Sequence, residues 1–227
     1  MPKQTRKKSK LRKKLDQSSK EEAVLSFPPN FLWGTATSSH QVEGNNINND
    51  WHLYEQEGYA DDHQVSGSGP DHYHKYEEDF KIAKDLHNNA FRLSIEWSRV
   101  EPEDNHWDKK EIEHYKKVLR EARRQGLKTF VTLHHFTNPI WFMHEDGWLN
   151  PHAPEIFQSY VMMILKEMGD LVDFWITINE PMVFASQGYI SGVWPPREKN
   201  VLKARKVIKN MAKAHILAYQ SIHNVLD

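Results

Sequence analysis

The chain has 227 residues, 30 Lys or Arg against 31 Asp or Glu, 38% hydrophobic residues and no cysteine. It is long enough to bury a sizeable core, no apolar run approaches the roughly 20 residues of a spanning helix, and neither a disulfide nor a thiolate metal site can form. Residues 1–20 carry nine Lys or Arg and one acidic residue, leaving 21 basic and 30 acidic residues, a formal net of −9, to the rest. A body that acidic is not built to hold nucleic acid. Residues 1–26 read as a basic, disordered, solvated tail, because blocks of like charge seldom pack. No apolar stretch follows the basic residues as in a secretory signal, and the expected compartment is the cytoplasm.

Past residue 26, strands and helices alternate. "FLWGTAT" (31–37) predicts a buried strand. A polar stretch from Gln41 to Asp71, rich in Asn, Asp and Gly, predicts loop. Tyr73, Tyr76, Phe80, Ala83 and His87 step by three and four, as on one helix face. "AFRLSIEW" (90–97) alternates, with Phe91, Leu93, Ile95 and Trp97 on one side and Arg92, Ser94 and Glu96 on the other. A helix through Ile112, Tyr115, Val118, Leu119 and Ala122 stops at Gly126. "LKTFVTL" (127–133) is the third strand. The helix carrying Phe157, Tyr160, Val161, Ile164, Leu165 and Met168 closes at Gly169, and "VDFWITI" (172–178) is the fourth strand. A last helix presents Val201, Ala204, Ile208, Met211, His215, Ala218, Ile222 and Val225.

Four strand-then-helix units argue for a parallel sheet. The chemically capable residues gather where strands end: His40 and Gln41, Glu96, His134 and His135, Asn179 and Glu180. That is where sites form in barrels and doubly wound sheets. No glycine-rich phosphate loop follows any strand. Adjacent His134 and His135 point to opposite sides of a strand and do not form a chelating pair, so no metal is expected. One histidine should face the site and the other the core. Glu96 reads as part of a structural ion pair or network. Glu180, after Trp175, Ile176 and Ile178, is either an acid/base with an apolar surround or a carboxylate at a helix start before Pro181.

"FPPNFLWGTATSSHQVEG" (27–44), "FRLSIEWSRVEP" (91–102), "TLHHFTNPIWF" (132–142) and "FWITINEP" (174–181) together resemble glycoside hydrolase family 1, the β-glucosidase-like retaining glycosidases. The match is in that family's order and covers about residues 27–226. The resemblance implies an α/β fold of the (β/α)₈ TIM-barrel type, with residues 27–227 as its first four units, a half barrel. It implies Glu180 as general acid/base, and Asn179, Gln41 and His135 as substrate ligands, the first on the sugar 2-hydroxyl and the others on outer hydroxyls. Arg92 is the expected support of the nucleophile carboxylate. Phe136 stands where the family often has Trp, which keeps a stacking surface and loses an N–H donor. The implied substrate is a β-linked glycoside or oligosaccharide, with no cofactor, since two carboxyl groups suffice.

The second carboxyl group is the difficulty. The family's nucleophile lies in a Thr/Ile-Glu-Asn-Gly motif after a seventh strand, and no such motif occurs here. Two copies could pair through the open edges of strands one and four. The seventh position of such a barrel would be a third strand ending in His134 and His135, without a carboxylate. A separate C-terminal half-barrel chain would restore the pair. The sequence therefore predicts a glycosidase inactive unless completed, with a sugar-binding pseudoenzyme or a non-functional gene fragment as alternatives.

Overall fold

The computed structural model describes residues 26–226. The expected tail, all but its last residue, lies outside the described residues. Residues 26–31 belong to a separate small unit, and the body begins at Leu32. The body holds strands β1 (Gly34–Ala36), β2 (Ala90–Ser94), β3 (Lys128–His134) and β4 (Phe174–Ile178). Its longer helices are α1 (Asp50–Gln56), α2 (His72–Asp85), α3 (Lys109–Arg124), α4 (Ala153–Met168), α5 (Pro181–Ser186) and α6 (Val201–Leu226). The strands form one sheet in the order β1-β2-β3-β4, every pairing parallel. Ala36 sits beside Arg92, Arg92 beside Phe130 and Thr132 beside Ile176. This is the α/β half barrel of four units that the motifs imply. No described helix is long and apolar enough to cross a membrane.

The local signals act as their chemistry requires. The Asp108 carboxylate caps α3 by accepting from the Lys110 and Glu111 N–H groups at 2.7 and 3.2 Å. Gly126 follows α3 with φ 76°. One face of β2 buries Phe91 and Leu93, followed by Ile95, and the Phe91 ring meets Phe80 of α2 edge-on at 4.9 Å. Trp97 stacks on Tyr160 of α4 at 4.9 Å inside a continuous core.

Five features differ from the sequence pattern. β1 is shorter than "FLWGTAT" and all three of its residues are exposed, with Trp33 49% exposed beside it; among the described residues it is an edge strand with a neighbour on one side only. β2 ends at Ser94, and Trp97 opens a short helix to Val100. α2 stops at Asp85, leaving His87 outside with φ 62°. The polar stretch after Gln41 contains α1, because the Asn49 side chain caps it by accepting from the His52 N–H at 2.8 Å. α6 is rotated from its expected face: Ala204, Val207, Asn210, Met211, Ala214, Ala218 and Ser221 are buried, while Val201, His215 and Val225 are exposed. Asn210 anchors that orientation by donating to the Trp148 and Asn150 carbonyls, each at 2.9 Å. Polar satisfaction outweighs the larger apolar side chains there.

Candidate active site at the strand ends

Glu180 follows β4 directly. It takes φ 44° and ψ 57°, a left-handed conformation rare for a residue with a Cβ, at the N-cap position of α5. Its side chain makes no capping hydrogen bond. Among the described residues the carboxylate has no hydrogen bond or ion pair, and it is exposed. The apolar surround expected from Trp175, Ile176 and Ile178 is therefore not there. Ile178 points into the core and Trp175 and Ile176 are half-buried, leaving the carboxylate free for work outside the packed interior.

Arg92 ties the neighbours together. Its guanidinium donates to Asn179 Oδ1 at 2.6 Å and to Thr132 Oγ1 at 2.9 Å. That fixes the Asn179 amide with its oxygen toward Arg92, leaving Nδ2 to donate elsewhere. Burial lowers the Arg92 pKa, against the raising influence of the Glu180 carboxylate. Burial, with the Arg92 and His134 charges behind it, pushes His135 down to about 4, so it is neutral near pH 7.

Gln41 and His135 line one cleft of about 290 Å³, which Phe136, Trp51, Trp194 and Glu55 also line. Gln41 Oε1 accepts from Ser38 Oγ at 2.6 Å, which leaves its Nε2 free to donate. Arg92, Asn179 and Glu180 stand outside that lining. The five residues singled out by sequence thus fall into two groups, Gln41 with His135 and Asn179 with Glu180, and Arg92 acts electrostatically on a member of each.

Beneath the site lies a buried polar layer. His134 is 1% exposed and turns from the cleft; its Nε2–H and the Trp148 Nε1–H both donate to Asn138 Oδ1, at 3.0 and 2.9 Å. Asn138 donates from its backbone N–H and Nδ2 to the two Asp50 oxygens at 2.9 and 2.7 Å. This clamps the turn that holds Phe136 at φ 73°. Burial raises Asp50 to about 7, against the Asn138 donors that lower it. Glu96 is fully buried. Its oxygens accept from Ser39, Thr137 and Ser98 hydroxyls at 2.7, 3.0 and 2.7 Å, and from Asn49 Nδ2 at 3.3 Å. It is a network carboxylate held by neutral donors rather than a partner of a cation. Glu43, raised to about 7 chiefly by burial, pairs with Arg99 at 3.1 Å. The sequence reading missed Asp50, Asn138, Trp51, Glu55 and Trp194. The first four sit in stretches with loop-like composition, and only the Trp beside two prolines at 195–196 was a visible signal.

Among the described residues, no group of three or more His, Cys, Asp or Glu is placed to hold a metal ion.

Comparison with known proteins places this arrangement. The model for glycosyl hydrolase family 1 matches residues 24–227. The β-glucosidase A of Thermotoga maritima is 32% identical over 202 residues, covering 86% of this chain and 45% of that protein. The β-galactosidase of Pyrococcus woesei is 33% identical, over 86% of this chain and 50% of its own length. Among solved structures, a β-glycosidase from Pyrococcus horikoshii superposes with a TM-score of 0.84 at 40% identity, over 88% of this chain and 47% of that one. A β-glucosidase from Thermotoga maritima in complex with glucoimidazole does so with a TM-score of 0.86 at 30% identity, over the same shares. The chain spans about half the length of the curated relatives it matches.

Proposed function

The chain belongs to glycosyl hydrolase family 1, and from that membership we propose that it is the acid/base half of a retaining β-glycosidase, inactive until a second half supplies the nucleophile. The observation that carries this reading is Glu180. It is a left-handed, exposed carboxylate at a strand end, capping nothing, beside an Asn179 whose amide Arg92 has oriented.

In the reaction so assigned, Glu180 delivers a proton to the glycosidic oxygen as the partner's carboxylate attacks the anomeric carbon. The bond to the leaving group breaks with its electron pair, and a glycosyl-enzyme ester forms. Glu180 then takes a proton from water as that water displaces the ester. The Asn179 Nδ2 donates to the sugar 2-hydroxyl. Gln41 and neutral His135 hold the outer hydroxyls, and Phe136 offers a ring face to the sugar. Arg92 awaits the partner's carboxylate, which must come within roughly 5 Å of Glu180 for retention. The natural substrate is a β-linked glycoside or oligosaccharide.

The completing half is a C-terminal half barrel that pairs with the open edges of β1 and β4. Self-association through those edges is the competing occupancy, and it brings no nucleophile. The test is release of nitrophenol from an aryl β-glucoside by the purified chain, alone and mixed with the C-terminal half of a family member. Turnover only on mixing supports the proposal. Turnover by the chain alone, abolished in Glu180→Gln, overturns the requirement for a partner.

A further inference from the structure

We propose that the cleft beside Gln41 and His135 holds a second sugar ring, joined through an outer hydroxyl of the ring those residues grip. The site then recognises a terminal disaccharide rather than a single terminal sugar. This rests on the sugar-site reading above and goes beyond it.

The cleft has more lining than the two sugar ligands: Trp51, Trp194 and Glu55 line it with them, whereas Asn179 and Glu180 do not. Its volume of about 290 Å³ is near the lower end of the range that small-ligand pockets occupy. Trp194 packs edge-on against Trp51 at 5.4 Å and against Phe136 at 5.0 Å, so the three rings make one aromatic corner in which a ring face can take the apolar C–H face of a sugar.

The polar groups have the complementary character. Among the described residues, neither the Trp51 nor the Trp194 indole N–H has an acceptor, and Gln41 Nε2 has none. Glu55 supplies the opposite need. Burial works to raise its pKa but is outweighed by the Ser66 N–H, the Ser66 hydroxyl and His40, which hold it low and ionised. Its Oε2 accepts two bonds from Ser66, whereas Oε1 accepts one, from His40 Nε2 at 3.0 Å. A lone pair remains on Oε1 for a hydroxyl. Free N–H donors, one anionic acceptor and aromatic faces suit a polyhydroxylated ring better than an apolar or a phosphorylated ligand.

The corner is also built to stay in place. Tyr54 of α1 donates its hydroxyl to the Val193 carbonyl, and the Arg197 guanidinium stacks 3.6 Å from the Tyr59 ring centre. Gly188 lets the backbone pass close by, since a Cβ there would lie 2.6 Å from the Pro195 carbonyl oxygen. A rigid corner loses little freedom on binding.

The test is calorimetric titration of the intact chain with glucose, cellobiose and laminaribiose. At least one disaccharide should bind roughly tenfold tighter than glucose, equivalent to about 1.4 kcal/mol. Trp51→Phe and Trp194→Phe, which keep a ring and remove the N–H, should each take back most of that gain. Equal affinities for one ring and two overturn the second-ring site and leave the sugar site standing. A gain that survives both tryptophan variants and Glu55→Gln also overturns it. No binding of any of the three sugars overturns both readings together.

Discussion

Replacing Asn138 with Ala should cost about 3–5 kcal/mol of stability. The side chain joins three elements: His134 at the end of β3, Trp148 after the turn, and Asp50 at the start of α1. Truncation strands two buried donors, the His134 Nε2–H and the Trp148 Nε1–H, and each unsatisfied buried group costs roughly 1–3 kcal/mol. Asp50 keeps the Asn138 backbone N–H and loses the amide. Against a domain stability of about 5–15 kcal/mol the loss is large. Urea unfolding at pH 7, followed by tryptophan fluorescence, measures it. Asn138→Asp separates the parts, since it keeps the acceptor but sets a carboxylate against Asp50 Oδ2, 2.7 Å from the present amide nitrogen. One of that pair must hold a proton. This variant should approach the wild type at pH 4 and lose several kcal/mol by pH 8. A loss below about 1 kcal/mol in Asn138→Ala would refute the assigned hub.

Arg92→Met should weaken glucose binding about tenfold, because the Asn179 amide loses the 2.6 Å bond that orients it; calorimetry on a variant with unchanged circular dichroism checks this. Glu101 is buried and raised to about 7, chiefly by burial, against the lowering hydrogen bonds from Trp97 and Asn105. It holds its proton in the folded chain while the unfolded chain ionises near 4.5, so it erodes stability as pH climbs from about 4.5 to 7 and adds nothing further above. Glu101→Gln should gain on the order of 2–3 kcal/mol relative to wild type across that window; parallel unfolding curves at pH 4.5 and 7 read the difference. The unpaired edges of β1 and β4, with Phe174 43% exposed, should make the isolated chain self-associate; sedimentation as a clean monomer at tens of micromolar would contradict that.

Strand periodicity made the sheet legible. Phe91, Leu93 and Ile95 alternate because one face of β2 packs into the apolar core while the other carries the polar Arg92 and Ser94, and the apolar rows of α3 and α4 carry the same information. The site was legible where chemistry sits at strand ends. What stayed hidden depends on contacts far apart in sequence. α1 is polar in composition and is made by one Asn49 cap and by Asp50 reaching Asn138 across 88 residues. The facing of α6 is set by Asn210 reaching the carbonyls around Trp148. The exposure of Glu180 follows from its backbone turn, φ 44°, which no periodicity encodes.

The most direct measurement uses the chain mixed with a completing half and carrying Glu180→Ala, with dinitrophenyl β-glucoside as substrate. That leaving group needs no proton, so the glycosyl-enzyme still forms, and its hydrolysis then stalls for want of a base. Added azide, which needs no base, should restore turnover and give the β-glucosyl azide, the outcome of two inversions. An α-glucosyl azide would make Glu180 the nucleophile instead. Unchanged hydrolysis of both activated and unactivated glucosides in the variant would remove Glu180 from the reaction altogether.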